Sequence, residues 1–125
     1  MNHRDTEITE VIIGAAIEVH RHLGPGLLES VYEAALAYEV AERGLGVERQ
    51  KPVPLSYKGL QFEEGYRIDL LVAGEVIVEL KCVDALLPVH DAQVISYLKM
   101  ANKKTALLIN FKVPLLKDGV RRFSN

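Results

Sequence analysis

The stretch 66–83, YRIDLLVAGEVIVELKCV, constrains the fold more than any other part of the sequence. Its Val, Leu and Ile residues flank a short turn, which is typical of two neighbouring β-strands in a protein interior. The same stretch carries three charged side chains, Asp69, Glu79 and Lys81, although burial of an unpaired charge is costly. A fold that buries this hairpin must therefore supply a partner for each charge.

The length of the turn decides whether the two acids meet. Because alternate strand residues point to opposite faces, a two-residue turn would direct Asp69 away from Glu79 and into the apolar layer. A three-residue loop, 73–75, pairs Asp69 with Glu79, and Gly74 can supply the left-handed residue that such loops need. We predict the three-residue loop because burial opposes the other register. The aliphatic face then consists of Ile68, Leu70, Val72, Val76, Val78 and Leu80.

Three ionisable groups on one side of a buried hairpin admit two explanations. Two unit charges about 4 Å apart interact by about 4 kcal/mol at an effective dielectric of about 20, so adjacent carboxylates favour a shared cation. A hard divalent ion such as Mg²⁺ or Mn²⁺ takes oxygen ligands and neutralises both acids. The alternative is a partly solvated ion pair of Asp69 or Glu79 with Lys81 or Arg67, since short motifs of this kind recur by chance.

Size and composition bound the class of protein. A length of 125 residues suits one domain, 1–125, with one core. The net charge of −2 excludes a strongly basic protein that coats nucleic acid by charge alone. The single cysteine, Cys82, excludes an intrachain disulfide and a cysteine zinc cluster. Because no signal region or membrane-length apolar run is present, we expect a cytoplasmic protein without a membrane partner.

Hydrophobic periodicity predicts a mixed α/β order of elements. Helices are expected at 5–23, 28–43 and 89–101, where apolar residues recur at helical spacing. Strands are expected at 47–55 and 61–64, in the two arms of the hairpin, at 105–111 and in the tail. Pro52 and Pro54 place the first strand at a sheet edge. The expected fold class is therefore α/β, with helices that flank a small mixed sheet.

Two of the predicted helices add polar side chains at regular spacing. His90, Gln93 and Tyr97 follow i, i+3, i+7 and therefore share one helix face, and a solvated helix side is the alternative explanation for them. Glu29 and Tyr32 share a face of the second helix. The helix dipole favours a negative charge in the first turn, so stability alone could account for Glu29.

The segment 26–36, GLLESVYEAAL, reads G-x-x-E-x-x-Y and resembles the GxxExxY proteins, a family of the PD-(D/E)xK nuclease superfamily. The resemblance covers nearly the whole chain through VHRHLGPGLLESVYEAAL, YRIDLLVAGEVIVELK, PVHDAQVISYLK, LLINF and KDGVRRF. QVISY also matches the Q-x-x-x-Y helix of recombination-type exonucleases in the superfamily. The sequence departs from the superfamily pattern at one point, since no proline precedes Asp69.

The resemblance implies a restriction-endonuclease-like core and a nuclease that uses Mg²⁺ or Mn²⁺ to hydrolyse phosphodiester bonds in DNA rather than RNA, in repair or defence. The catalytic residues that it implies are Glu29, Asp69, Glu79, Lys81, Gln93 and Tyr97. The metal ligands that it implies are Asp69, Glu79, Glu29 and the backbone carbonyl of Leu80. The supporting residues around them are Tyr32, His20, His90 and Arg67, and for both histidines we expect a structural role.

A second function remains open at this point. A chain of 125 residues leaves little room for a dedicated DNA clamp. The same fold could therefore serve as a non-catalytic module that binds nucleic acid or protein. In either case a homodimer or a partner protein could supply the further contacts needed to bind a duplex.

Overall fold

Five strands form one mixed sheet in the structure, a computed structural model that describes residues 3–125. The elements are α1 (His3–Leu23), α2 (Glu29–Glu42), β1 (Val47–Tyr57), β2 (Leu60–Val72), β3 (Val76–Lys81), α3 (Pro88–Ala101), β4 (Thr105–Asn110), a short 3₁₀ helix (Leu116–Gly119) and β5 (Val120–Ser124). The strands lie in the order β1-β2-β3-β4-β5. Only β3 and β4 run parallel, and α3 is the crossover that joins them.

Helices cover both faces of the sheet, which confirms the predicted α/β class. One face packs on α1 and α2 through a large cluster that includes Ile12, Val19, Leu36, Val40, Leu70, Val78 and Ile109. The other face packs on α3 through a smaller cluster of Val53, Ile68, Leu71, Ile77, Val94, Leu98, Ala106 and Leu108. The two clusters bury β3 and β4 on both sides, as expected of parallel neighbours at the centre of a sheet.

The predicted three-residue loop of the hairpin is confirmed. Val72 pairs with Val76, which leaves 73–75 as the loop. Gly74 adopts the left-handed conformation with φ of 67°, as predicted. Ala73 is also left-handed, with φ of 55°, which the sequence pattern did not predict.

One detail of the predicted strand faces is wrong. Ile68 packs in the α3 cluster, whereas Leu70 packs against α1 and α2. The ladder between β1 and β2 is interrupted between these residues, where Gln50 lies opposite Asp69. Gln50 of β1 has a left-handed φ of 51°, so the backbone is irregular on the neighbouring strand at the level where the alternation of β2 breaks.

The predicted strand 61–64 is not separate but forms the first part of β2. Strand β1 continues to Tyr57 and lies at the sheet edge, as its two prolines predict. The register of β1 and β2 shifts between Val53 and Leu55. At this irregularity a Cβ on Gly65 would lie 2.6 Å from the Leu55 Cβ, so the close approach of the two strands requires glycine.

Candidate active site

The site begins where β2 and β3 separate. Their backbone pairing ends at Leu70 and Val78. Beyond this pair, the side chains of Asp69 and Glu79 accept the hydrogen bonds that link the two strands. The Asp69 amide donates to Glu79 Oε1 at 3.3 Å, and the Leu80 amide donates to Asp69 Oδ2 at 2.9 Å. The two predicted acids therefore meet, each bonded to the backbone of the opposite strand.

Glu79 is the acid that the fold isolates most from water. Its side chain is buried at 6% exposure on the sheet face that packs on α3. Burial and, next, the nearby Asp69 charge raise the pKa of Glu79, Lys81 counteracts part of the effect, and the net result is a pKa of about 9. At neutral pH the Glu79 carboxyl holds its proton unless a further cation stabilises the charged form.

Glu29 belongs to the same electrostatic cluster although it comes from a different layer. It is the first residue of α2. Its pKa is raised first by partial desolvation and then by the charge of Asp69, while Lys81 lowers it. The charges of Asp69 and Lys81 therefore shift the pKa values of both Glu29 and Glu79. The helix acid Glu29 thus interacts electrostatically with the predicted D…ExK set.

The backbone carbonyl of Leu80 faces the same gap. The Lys81 carbonyl accepts a hydrogen bond from the Phe111 amide at 2.9 Å, on the side of β4. Successive peptide groups of a strand point to opposite edges, so the Leu80 carbonyl points toward β2. This is the edge at which the Leu80 amide meets Asp69.

An aromatic pair lies beside Glu79 on the α3 side. The rings of Tyr97 and Tyr66 stack with centroids 4.1 Å apart, and the Tyr66 hydroxyl donates to the Tyr97 carbonyl at 2.8 Å. Burial and the Glu79 charge raise the pKa of Tyr66 to about 12 and also raise the pKa of Tyr97. Both hydroxyls therefore remain protonated donors, and Gln93 is exposed one turn before Tyr97.

A second polar network holds Asp69 from the other side, and sequence reasoning missed it. The Gln50 side-chain amide contacts Glu33 Oε1 at 2.5 Å and Asp69 Oδ1 at 3.3 Å. The Arg49 guanidinium donates to Glu33 Oε2 at 3.1 and 3.2 Å. The i, i+4 spacing of Glu29 and Glu33 was the only available signal, since the left-handed residue that directs the exposed Gln50 side chain toward Glu33 and Asp69 depends on the folded strands.

Tyr32 fixes the loop that precedes α2. Its hydroxyl donates to the Gly24 carbonyl and accepts from the Leu27 amide at 3.1 Å, while its ring stacks on Phe111 at 4.6 Å. Gly26 adopts a φ of 102°, which favours glycine. The G-x-x-E-x-x-Y pattern thus sets the start of α2, and with it the position of Glu29.

The remaining predicted residues make contacts elsewhere. His20 is buried, and its Nε2 donates to the Val113 carbonyl at 2.8 Å. His90 Nδ1 accepts from the Leu87 amide at 2.9 Å and caps the start of α3. Arg67 is exposed and forms an ion pair with Glu64. Each histidine thus has a backbone hydrogen-bond partner of its own.

The donors at the gap suit a hard divalent cation chemically. Two adjacent carboxylates, Asp69 and Glu79, and the Leu80 carbonyl supply oxygen ligands, and a cation there would offset the burial and the Asp69 charge that raise the pKa of Glu79. Within residues 3–125, however, no three His, Cys, Asp or Glu side chains converge as a ready group of metal ligands. Glu29 would therefore have to approach the other two acids to complete such a set.

The family of the chain follows from comparison with known proteins. The sequence model of the PD-(D/E)XK nuclease superfamily matches residues 6–123, nearly the full length. The chain belongs to the PD-(D/E)XK nuclease superfamily. No curated protein and no solved structure matches the chain significantly.

PD-(D/E)XK nucleases generally use divalent metal ions, and the mixed five-stranded sheet with three helices is consistent with their restriction-endonuclease-like fold. The name of the superfamily describes an acid followed by an acid–x–lysine triplet. In this sequence Asp69 and the triplet Glu79–Leu80–Lys81 match that pattern of residue types. None of the helices in residues 3–125 combines the length and hydropathy of a membrane-spanning segment.

Proposed function

We propose that this PD-(D/E)XK protein is a nuclease that requires Mg²⁺ or Mn²⁺ and hydrolyses phosphodiester bonds in DNA. The observation that carries the proposal is the interlocked pair of Asp69 and Glu79 beside Lys81 at the end of β3. Burial and the neighbouring Asp69 charge are in conflict with an ionised Glu79 and together raise its pKa to about 9, and such perturbed acids cluster at functional sites. A bound cation resolves this conflict by stabilising both carboxylates.

The cation would be held by Asp69, Glu79, the Leu80 carbonyl and, after a small approach, Glu29. A bound divalent ion supplies Lewis acidity to the scissile phosphate and lowers the pKa of a coordinated water. The Asp69–Leu80 hydrogen bond keeps one carboxylate oxygen aligned with the end of β3.

Lys81 and Tyr97 would act on the substrate. Among residues 3–125 no carboxylate lies within ion-pair distance of the Lys81 ammonium, although the charge of Lys81 lowers the pKa of both Glu29 and Glu79. It is therefore available to stabilise negative charge on a phosphate oxygen. The raised pKa of Tyr97 keeps its hydroxyl protonated for donation, and the exposed Gln93 can reach a phosphate one turn away.

The subfamily, the substrate and the setting are further parts of the proposal. We assign the chain to the GxxExxY proteins because Gly26 and Tyr32 together fix the start of α2 beneath Glu29. DNA is favoured over RNA by the likeness of the Gln93–Tyr97 helix to that of recombination-type exonucleases. A cytoplasmic role in DNA repair or defence would suit such an activity.

Cleavage assays test the proposal directly. We expect single- or double-stranded DNA to be cut with Mg²⁺ or Mn²⁺, not with EDTA, and more slowly as RNA. Lys81→Ala should abolish cleavage, whereas the exposed Lys104→Ala should not change it. Cleavage that survives Lys81→Ala would come from a contaminant and would remove the support for the proposal.

The alternative function is a binding module that keeps the fold without catalysis. It gains support from the lack of a ready three-acid metal group in residues 3–125. Calorimetric titration with Mn²⁺ separates the two readings, because a nuclease site should bind the ion and Asp69→Asn should abolish binding. A protein that binds DNA but neither Mn²⁺ nor Mg²⁺ would be the non-catalytic module.

A further inference from the structure

The regular pairing of β3 with β4 ends at Lys81, the lysine of the candidate site. At this last position the Phe111 amide donates to the Lys81 carbonyl at 2.9 Å. The next two residues, Cys82 and Val83, lie in neither β3 nor α3 and begin the connection between them. The backbone ladder therefore stops at the residue whose side chain is proposed to meet the phosphate.

A side-chain amide replaces the next step of the ladder. Asn110, the last residue of β4, donates from Nδ2 to the Val83 carbonyl at 2.8 Å, and its Oδ1 accepts from the Val83 amide at 3.1 Å. These two bonds imitate the exchange of N–H and C=O bonds between paired strand residues. We call this pair of bonds the clamp, and it extends the attachment of the chain to β4 two residues past Lys81.

Asn110 is itself held firmly and is closed to a ligand. It is buried at 2% exposure, and its Oδ1 also accepts from the Lys112 amide at 3.2 Å. The 3₁₀ helix packs so closely behind it that a Cβ on Gly119 would overlap the Asn110 carbonyl oxygen. Both lone pairs of the amide oxygen are used within the fold. Asn110 can therefore affect the site only through the backbone that it holds.

The position of Lys81 depends strongly on its backbone. In the described part of the chain, no carboxylate lies close enough to its ammonium to fix the side chain by an ion pair. The Leu80 amide is bonded to Asp69 just before this residue, and the clamp lies just after it. Strand pairing also places Lys81 opposite Asn110 on the same face of the sheet. Loss of the clamp would therefore free the chain at the point from which the lysine projects.

We propose that Asn110 is a positioning residue that holds Lys81 in place for the scissile phosphate. The effect on cleavage rests on the proposed nuclease function, whereas the hold on residues 81–83 does not. Displacement of a catalytic group by about 1 Å can lower a rate by about 10²-fold. Asp69 and Glu79 are bonded to the opposite strands before the clamp, so these metal ligands should keep their positions without it.

The test variant is Asn110→Ala, and the matched control is Thr105→Val. Thr105 is the buried first residue of β4 and donates to Asp5 at 2.6 Å, so the control removes a buried hydrogen bond at the opposite end of the same strand. In Asn110→Ala, nitrogen-15 relaxation should show the order parameters of residues 81–83 falling from about 0.85 to below about 0.6. The kcat for DNA should fall at least ~10-fold, while KM and the Mn²⁺ affinity stay within about 2-fold of native.

The control should lose stability but keep the native kcat and order parameters. Rigid residues 81–83 in Asn110→Ala would overturn the proposal, as would a native kcat in that variant. Equal losses of kcat and Mn²⁺ affinity would also overturn it, because they would assign Asn110 a general structural role. A native protein that cuts no DNA would overturn the proposed nuclease function and the role of Asn110 in cleavage, and the order parameters would still decide whether the clamp holds residues 81–83.

A second variant serves if circular dichroism shows that Asn110→Ala does not fold. Asn110→Ser keeps a hydroxyl that can accept from the Lys112 amide, so the end of β4 retains a local hydrogen bond. It offers one polar atom to Val83 where the amide offers two, so the clamp is still broken. The same changes in order parameters and kcat are expected, and their absence in the folded serine variant would overturn the proposal.

Discussion

Glu33 and Glu79 are both buried glutamates connected to Asp69, and the fold treats their charges in opposite ways. Glu33 receives the Arg49 guanidinium on one oxygen and the Gln50 amide on the other. Glu79 receives an amide hydrogen bond from Asp69 and also lies next to the charge of that acid, and its pKa rises to about 9. A buried acid with a cation partner supports the fold, whereas a buried acid that faces another acid is suited to bind a cation.

The largest effect is expected from removal of the charge at Glu79. Glu79→Gln should lower DNA cleavage by at least ~10²-fold, because a neutral amide cannot stabilise the bound cation or orient the reacting phosphate. The free energy of unfolding should stay the same or rise, since the buried carboxyl no longer has to be desolvated. Initial cleavage rates and urea melts measure the two quantities.

Glu33→Gln is the matched comparison for this variant. It should keep most of the cleavage activity and lose stability. The contrast between the two buried acids would be lost if Glu79→Gln unfolded the protein while Glu33→Gln abolished cleavage.

The next effect is a pH dependence of stability. Because the folded-state pKa of Glu79 is raised from 4.5 to about 9, the folded state retains a proton that the unfolded state releases between these pH values. The stability contribution is therefore complete below about pH 4.5 and falls as pH rises toward 9, with a limiting slope of about 1.4 kcal/mol per pH unit. Urea melts across this window should show the decline in the native protein and a shallower one in Glu79→Gln.

Mn²⁺ provides the control for the pH series. A metal that needs the deprotonated carboxylates should stabilise the native protein more as pH rises. Glu79→Gln should show little of this gain. A native protein whose stability follows that of Glu79→Gln at every pH would mean that Glu79 is paired like Glu33.

A smaller effect tests the link between the two networks at Gln50. Gln50→Ala removes the amide that holds Asp69, so the affinity for Mn²⁺ should fall by about 10- to 100-fold. Gln50→Gly removes the same amide but accepts the left-handed φ of 51°, so it should lose affinity equally and be more stable than the alanine variant. Calorimetry measures the Mn²⁺ affinity of the two variants, and thermal melts measure their stability. Unchanged Mn²⁺ affinity in both variants would show that the hydrogen-bond network of Glu33 does not support the site.

The smallest effect is the loss of the Glu33 ion pair. Glu33→Gln should lower the free energy of unfolding by about 1–3 kcal/mol, because a buried hydrogen-bonded charge is lost. Glu48→Gln is the control, since Glu48 pairs with Lys51 at the surface and such pairs contribute about 0–1 kcal/mol. Equal losses in the two variants would show that the buried pair contributes no more than the exposed one.

The hairpin shows how far a pattern can predict a site. Alternation and the cost of burial were enough to select the three-residue loop and to bring Asp69 to Glu79, because a register error would have exposed the whole aliphatic set. The same rule failed at Ile68, where the left-handed Gln50 interrupts the ladder. Strand alternation assumes regular backbone, and sites commonly form where that regularity stops.

The sequence by itself determined the class of fold, the central hairpin and the local spacing that joins Glu79 to Lys81, because each depends on periodicity and short-range geometry. Only the tertiary structure decided that Glu33 has the cation Arg49 and the Gln50 amide as partners while Glu79 faces another acid. The physical reason is that the charge state of a buried acid depends on partners from distant segments and on exclusion of water. Neither the distant partners nor the exclusion of water can be predicted from the residues that adjoin the acid in sequence.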